Sequence, residues 1–131
     1  MAETRNKGRP ISPHLQIYKR TLTMMMSIIH RVTGVALYAG TLLLVWWLTA
    51  AATSDSYFDM VQGVFGSLPG QIVLFGFTWA LIHHTLGGIR HLVWDVGQGF
   101  DLRDAEMSAR VTLASSTILT IAVWAIAYGV M

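Results

Sequence analysis

No cysteine occurs in the 131-residue sequence. That absence excludes disulfides, thiolate metal sites, iron–sulfur ligation and a c-type heme attachment motif. Any iron–sulfur or flavin chemistry associated with this chain must therefore reside in a partner. Charge is also scarce. Charged residues make up 12% of the sequence, against roughly 25% in soluble domains. What fills the space is apolar: 53% of the residues are hydrophobic, and mean hydropathy is +0.52. Such a composition belongs to a membrane protein. The net charge of +2 does not point to nucleic acid. The basic residues gather beside a hydrophobic segment, where they set membrane orientation.

Residues 1–20 hold Arg5, Lys7, Arg9, Lys19 and Arg20 and no apolar core, so no signal peptide is expected. A cleaved transit peptide would need more length, and a bacterial cytoplasmic start is the simpler reading. Crossing a hydrocarbon layer of about 30 Å takes roughly 20 helical residues. Three stretches qualify, at about 24–52, 68–94 and 109–130. None alternates like a strand, and a barrel does not arise from apolar runs of this kind. The expected fold is an all-α integral membrane protein, a single domain over 1–131 with a cytoplasmic segment at 1–23 and three transmembrane helices. The intervening "TSDSYFD" and "DVGQGFDLRDAEMS" are polar and read as turn-rich connections.

The residues up to Arg31 carry six cations against Glu3 alone, counting Arg5, Lys7, Arg9, Lys19, Arg20 and Arg31. The first connection carries Asp55 and Asp59; the second carries Arg90, Arg103 and Arg110. The positive-inside rule then places the N-terminus and second connection in the cytoplasm and the C-terminus in the periplasm. Trp46, Trp47 and Trp94 suit interfacial belts, with Tyr18 at the inner surface. Gly34, Gly87 and Gly88 permit close helix approach, whereas Gly40 and Gly76 read as ordinary membrane-helix glycines. A bundle this thin shields polar side chains poorly, so a partner membrane subunit is expected to complete it.

Two polar clusters interrupt the apolar runs. The first is "SIIHRVTG", from Ser27 to Gly34. Ser27 lies one turn before Arg31, with His30 beside that line, and all three can face one groove. A hydroxyl and a guanidinium there suit a carbonyl-bearing headgroup, with the apolar span beyond for a prenyl tail. The ordinary alternative is an arginine snorkelling to phosphates and a serine bonded to its own backbone. The second cluster is "HHTLGGIRHLVWD", from His83 to Asp95. His84 and His91 are two turns apart on one line, and His83 and Arg90 form a parallel line. An intramembrane imidazole beside a glycine suits a heme ligand, the glycine leaving room for a flat macrocycle. Spacing does not choose between His83 and His84. Arg90 has two candidate partners, Asp95 and a heme propionate. The alternative is neutral histidines bonded to helix carbonyls or to one another. With one deep ligand face in the chain, a six-coordinate heme takes its other histidine from elsewhere.

The order "RPISPHLQIYK" (9–19), "SIIHRVTG" (27–34) and "HTLGGIRHLVWD" (84–95) resembles the cytochrome b membrane-anchor subunit of succinate dehydrogenase, respiratory complex II. The resemblance covers essentially the whole chain. It rests on His-x-x-x-Gly-x-Arg-His-x-x-x-Asp preceded by Ser-x-x-His-Arg-x-x-Gly. It implies one heme b, with His84 as axial ligand and the other ligand from a second small membrane-anchor subunit. It implies a flavoprotein subunit and an iron–sulfur subunit on the cytoplasmic face, against which "SPHLQIY" lies. It further implies ubiquinone contact by Ser27 and Arg31, and places His30 and Arg31 near the heme propionates. His91 belongs to the motif without being a ligand; Arg90, His91 and Asp95 are supporting positions. The expected function is that of a membrane anchor of succinate:ubiquinone oxidoreductase in the bacterial inner membrane. Arg31 would stabilise negative charge as quinol forms. Fumarate reductase anchors are the near alternative. A non-redox anchor, which would purify colourless, and a transporter component using the histidines as a proton or substrate path are the distant ones.

Overall fold

The computed structural model describes residues 20–130. Expectations resting on 1–19, including the first motif, most of the N-terminal cations and Tyr18, lie outside the described residues. Four helices follow in order: α1 (Leu22–Thr53), α2 (Asp55–Gly66), α3 (Leu68–Asp95) and α4 (Leu102–Val130). Three of them, α1, α3 and α4, are long and apolar enough to cross a membrane. At 1.5 Å per residue, α1 is about 48 Å long and α3 and α4 about 42–44 Å. Each exceeds the hydrocarbon thickness and reaches both interfaces.

Capping residues set the ends. Thr21 Oγ1 accepts the Met24 amide at 3.4 Å. Ser54 closes α1 and opens α2, its amide bonding Ala50 O and its Oγ accepting the Tyr57 amide at 3.3 Å. Ser67 does the same between α2 and α3, accepting the Gly70 amide at 3.3 Å, with Pro69 in the first turn of α3 where its missing N–H costs nothing. The turn is tight: a Cβ on Gly70 would stand 2.2 Å from Val64 O. After α3 the chain turns through Gly97 (φ 81°) and Gly99 (φ 73°). These are left-handed conformations that favour glycine.

Two stretches differ from their sequence reading. "TSDSYFD" is not a turn-rich connection but the end of α1, the Ser54 cap and the first turn of α2. Within α2, Tyr57, Phe58, Val61 and Phe65 share one side of a helical repeat. Trp46 donates to Tyr57 Oη at 2.9 Å and Trp47 to Gln62 Oε1 at 3.0 Å. Phe65 and Phe58 meet the same tryptophans edge-on, and Val61 is fully buried. In "DVGQGFDLRDAEMS", the part from Leu102 on is the first turns of α4. The Ala105 amide bonds Asp101 O, and Glu106 pairs with Arg110 one turn on.

α3 lies between α1 and α4, and α2 packs on α1 and α3. Burial runs opposite to that of a water-soluble fold. Thr33, His83, Arg90, Thr112, Ser116 and Thr120 are buried, whereas Val35, Leu42, Ile72, Ile118 and Ile126 are exposed. Lipid tails are as apolar as leucine, so helices meet through small and hydrogen-bonding residues. On α4, Thr112, Ser116 and Thr120 return their hydroxyl protons to carbonyls of their own helix, which leaves none of these three donors unpaired at the α3 seam. Gly40, read as incidental, is a packing residue: a Cβ there would stand 1.9 Å from the Phe77 ring. Gly76 has nothing within 4 Å.

Gly40→Leu is therefore expected to overpack the α1–α3 seam and cost about 1–3 kcal/mol, seen as a lower thermal midpoint in detergent. Gly76→Leu in the same assay is expected to stay near wild type.

Candidate functional site

The α1–α3 seam carries the first cluster. His30 reaches from α1 to α3, and its ring stacks on His84 with centroids 3.9 Å apart and planes 6° from parallel. His91 meets His30 from the next turns, centroids 5.1 Å apart at 56°. Missing side chains admit these rings. A Cβ on Gly87 would stand 2.6 Å from His30 Nδ1, and one on Gly34 would stand 3.1 Å from His84 Cε1. Each imidazole thus occupies the space a side chain would fill on the facing helix.

The hydrogen bonds fix the His84 tautomer. Its Nδ1 lies 3.1 Å from the His30 carbonyl oxygen, which has no proton to give, so Nδ1–H donates. The neutral ring then carries its lone pair on Nε2. Thr33 Oγ1 donates to the same carbonyl at 2.9 Å and stands 3.2 Å from Nδ1. His84 is half-buried, and its Nε2 is neither enclosed nor bonded among the described residues. Beside it, nothing lies within 4 Å of where a Gly88 Cβ would stand. A ring held through Nδ1 with Nε2 presented outward is the arrangement of a metal-binding histidine. Stacking by His30 covers the ring's face and leaves that edge clear. The position lies about 17 Å along α3 from its C-terminal end, inside the hydrocarbon layer.

The second line of α3 turns the other way, toward α4. His83 is 1% exposed. Ser116 gives its proton to Leu113 O, so at 3.1 Å it accepts from His83 Nδ1. Trp79 stacks on the ring at 4.7 Å, held in turn by a bond to Thr117. No macrocycle reaches an imidazole so enclosed. Arg90, two turns on, is 7% exposed and lies over the Trp94 ring at 4.9 Å. Of its two candidate pairings the one with Asp95 does not form: Asp95 is exposed, and the one ion pair among the described residues is Arg110–Glu106. Successive residues on a helix are about 100° apart, which carries the His83–Arg90 line to a different neighbour from the His84–His91 line.

Ser27, His30 and Arg31 do not share a groove. His30 turns into the seam, where Gly87 admits it; Ser27 is half-buried and Arg31 exposed on the bundle surface. Ser27 and Arg31 remain one turn apart on a common stripe. Among the described residues the Ser27 hydroxyl has no hydrogen-bond partner and Arg31 no carboxylate within ion-pair distance. Sequence reasoning missed Thr33, Trp79 and Ser116. Thr33 sits one turn from His30 next to Gly34, a spacing that marks a bonded carbonyl beside a close approach; nothing in the sequence marks the other two.

These features define a multi-pass helical membrane protein with an outward-facing imidazole edge deep in its central helix. Comparison with known proteins narrows the class. The family model for the succinate dehydrogenase/fumarate reductase transmembrane subunit matches residues 5–123. The succinate dehydrogenase cytochrome b556 subunit of Paracoccus denitrificans is 43% identical over 121 residues, covering 92% of this chain and 93% of that one. That of Rickettsia typhi is 38% identical over 116 residues, 88% and 90% of the two chains. The human mitochondrial cytochrome b560 subunit is 37% identical over 113 residues, 85% of this chain and 67% of the human one. The chain belongs to the succinate dehydrogenase/fumarate reductase transmembrane subunit family.

His83→Leu is expected to weaken the α3–α4 seam by about 0.6–2 kcal/mol, the range for interhelical hydrogen bonds in membranes. Thermal unfolding in detergent would read the loss, and a variant as stable as wild type would show that the Ser116 bond contributes nothing.

Proposed function

We propose that this chain binds heme b through His84 Nε2 and helps form a ubiquinone-reduction site, as a membrane anchor of succinate:ubiquinone oxidoreductase. The observation that carries the reading is the His84 Nδ1 bond to the His30 carbonyl, which leaves Nε2 unprotonated, unbonded among the described residues and not fully enclosed. The open surface at Gly88 fits a flat ring beside it. The naming of its relatives as cytochrome b subunits of succinate dehydrogenase supports the same reading. In this role the chain is a membrane subunit and not the catalytic head; succinate oxidation lies on partner chains.

The groups divide the work. His30 holds His84 in place by stacking and by its carbonyl, and Thr33 polarises that carbonyl. His30 and Arg31 would hold the propionate side of the heme. The heme supplies a one-electron store whose potential the surroundings tune. Ser27 and Arg31, one turn apart and unpaired among the described residues, supply a hydroxyl and a fixed positive charge to a quinone oxygen. Arg31 stabilises the charge that develops as the quinone is reduced and protonated. With Ser27 half-buried and Arg31 exposed on the bundle surface, another chain must cover both for them to work in a dry site. A second small anchor, which would supply the heme's other histidine, and the iron–sulfur subunit, followed by the flavoprotein subunit, would provide that cover. The cation-rich start supports an N-terminus in the cytoplasm and a C-terminus in the periplasm of a bacterial inner membrane.

His84→Ala is expected to lower heme content in the purified complex, with the b-type reduced-minus-oxidised spectrum as readout. An undiminished spectrum would reject the ligand, and a tagged chain that purified colourless and alone would reject the whole reading. Arg31→Ala is expected to lower quinone reduction by about 100-fold or more, the scale for a charge-stabilising donor, while succinate oxidation by an artificial dye persists. Equal loss in both assays would mean failed assembly.

A further inference from the structure

Arg90 is not used by the proposed function, yet it is a buried cation. It lies within α3 and is 93% buried, its exposure being 7%. Its Nε and Nη1 are enclosed without a hydrogen-bond partner, and no carboxylate among the described residues stands within ion-pair distance. A guanidinium in such a place needs a counter-charge. Trp94 supplies only its ring face.

The cavity beside it indicates the source. A pocket of about 460 Å³ lies between α3 and α4, lined by Arg90, Trp94, Asp104, Ser108, Ile89 and Val111 among others. That volume suits a small ligand. Arg90 is five residues before the end of α3, and Asp104 and Ser108 stand in the first two turns of α4. The polar end of the pocket is thus within about 9 Å of the helix ends, at headgroup depth, while Ile89 and Val111 continue it into the acyl layer. Nη2, the guanidinium nitrogen that is not enclosed, suits a phosphate, whereas the Ser108 hydroxyl gives its proton to Ala105 O at 3.0 Å and leaves only its lone pairs to the groove. Asp104, in the same wall, opposes a purely anionic headgroup and attracts a cation.

We propose that the α3–α4 groove is a binding site for a zwitterionic aminophospholipid, its phosphate on Arg90, its ammonium on Asp104 and an acyl chain along Ile89 and Val111. The site lies on a different neighbour of α3 from the His84 edge and does not depend on the heme assignment. One lipid covers both opposite charges, so the groove selects phosphatidylethanolamine over phosphatidylglycerol.

The test uses the intact complex, purified through a tag on this chain and placed in phosphatidylcholine nanodiscs doped with equal amounts of phosphatidylethanolamine and phosphatidylglycerol. Native mass spectrometry after ejection reads the retained lipid. Wild type is expected to keep one phosphatidylethanolamine. Arg90→Gln is expected to lower its retention by about tenfold or more, the scale of losing a charge-assisted hydrogen bond. Asp104→Asn is expected to remove the preference for phosphatidylethanolamine. Should Arg90→Gln fail to assemble, Val111→Trp fills the groove from its exposed side and is expected to displace the lipid with Arg90 in place. Equal retention in wild type and Val111→Trp would overturn the proposal, as would preferential retention of phosphatidylglycerol. Inorganic phosphate that displaced the lipid and was itself retained would identify a free-anion site instead. Loss of the b-type spectrum in Arg90→Gln with lipid retained would assign Arg90 to the heme propionates.

Discussion

The bond from His84 Nδ1 to the carbonyl of His30 sets the rest of the site. It requires α1 and α3 to approach closely, and the approach is possible because Gly34 and Gly87 stand where the facing rings need room. It requires one register, since a shift by a single residue would bring side chains against the rings. It fixes a tautomer, and through that the edge of His84 that faces outward. Packing, register and protonation state are therefore one constraint seen at different scales. A hydrogen bond between membrane helices contributes only modestly to their association; here its larger effect is on orientation.

α3 has two lines of polar residues and a different neighbour for each. Toward α4 the chain spends its polarity on structure: His83 is enclosed by Trp79 and Ser116. Toward α1 the imidazoles are braced but one edge is left bare. Buried polar groups cost free energy unless bonded, so the contrast between an enclosed histidine and a braced, open one separates structure from chemistry more clearly than residue type does.

The spans were legible because about 30 Å of hydrocarbon demands long apolar runs, and 22–53, 68–95 and 102–130 contain them. α2 was hidden because a short interfacial helix that begins Asp-Ser reads like a polar turn; its aromatic spacing, Tyr57, Phe58, Phe65, and the paired serines at 54 and 67 were the available signals. The start of α4 was hidden because Arg103, Asp104 and Glu106 look like loop residues, although an acidic residue in a first turn favours a helix. In the site, the two parallel lines on α3 were readable from a period of 3.6. Which line faced which helix was not, because that depends on the neighbours' glycines and serines and not on spacing within α3. The same limit applied to Ser27, His30 and Arg31, adjacent in sequence but pointing apart.

The hydroxyls of α4 bond their own helix, so this segment leaves the ribosome already satisfied for oil. α3 does not: without α4, His83 loses its Ser116 acceptor and Arg90 one wall of its groove. Between the synthesis of α3 and the arrival of α4 the nascent protein holds an incompletely solvated span in the bilayer. Docking of α4 closes that interval, because it returns an acceptor to His83 and a wall to the Arg90 groove in one step.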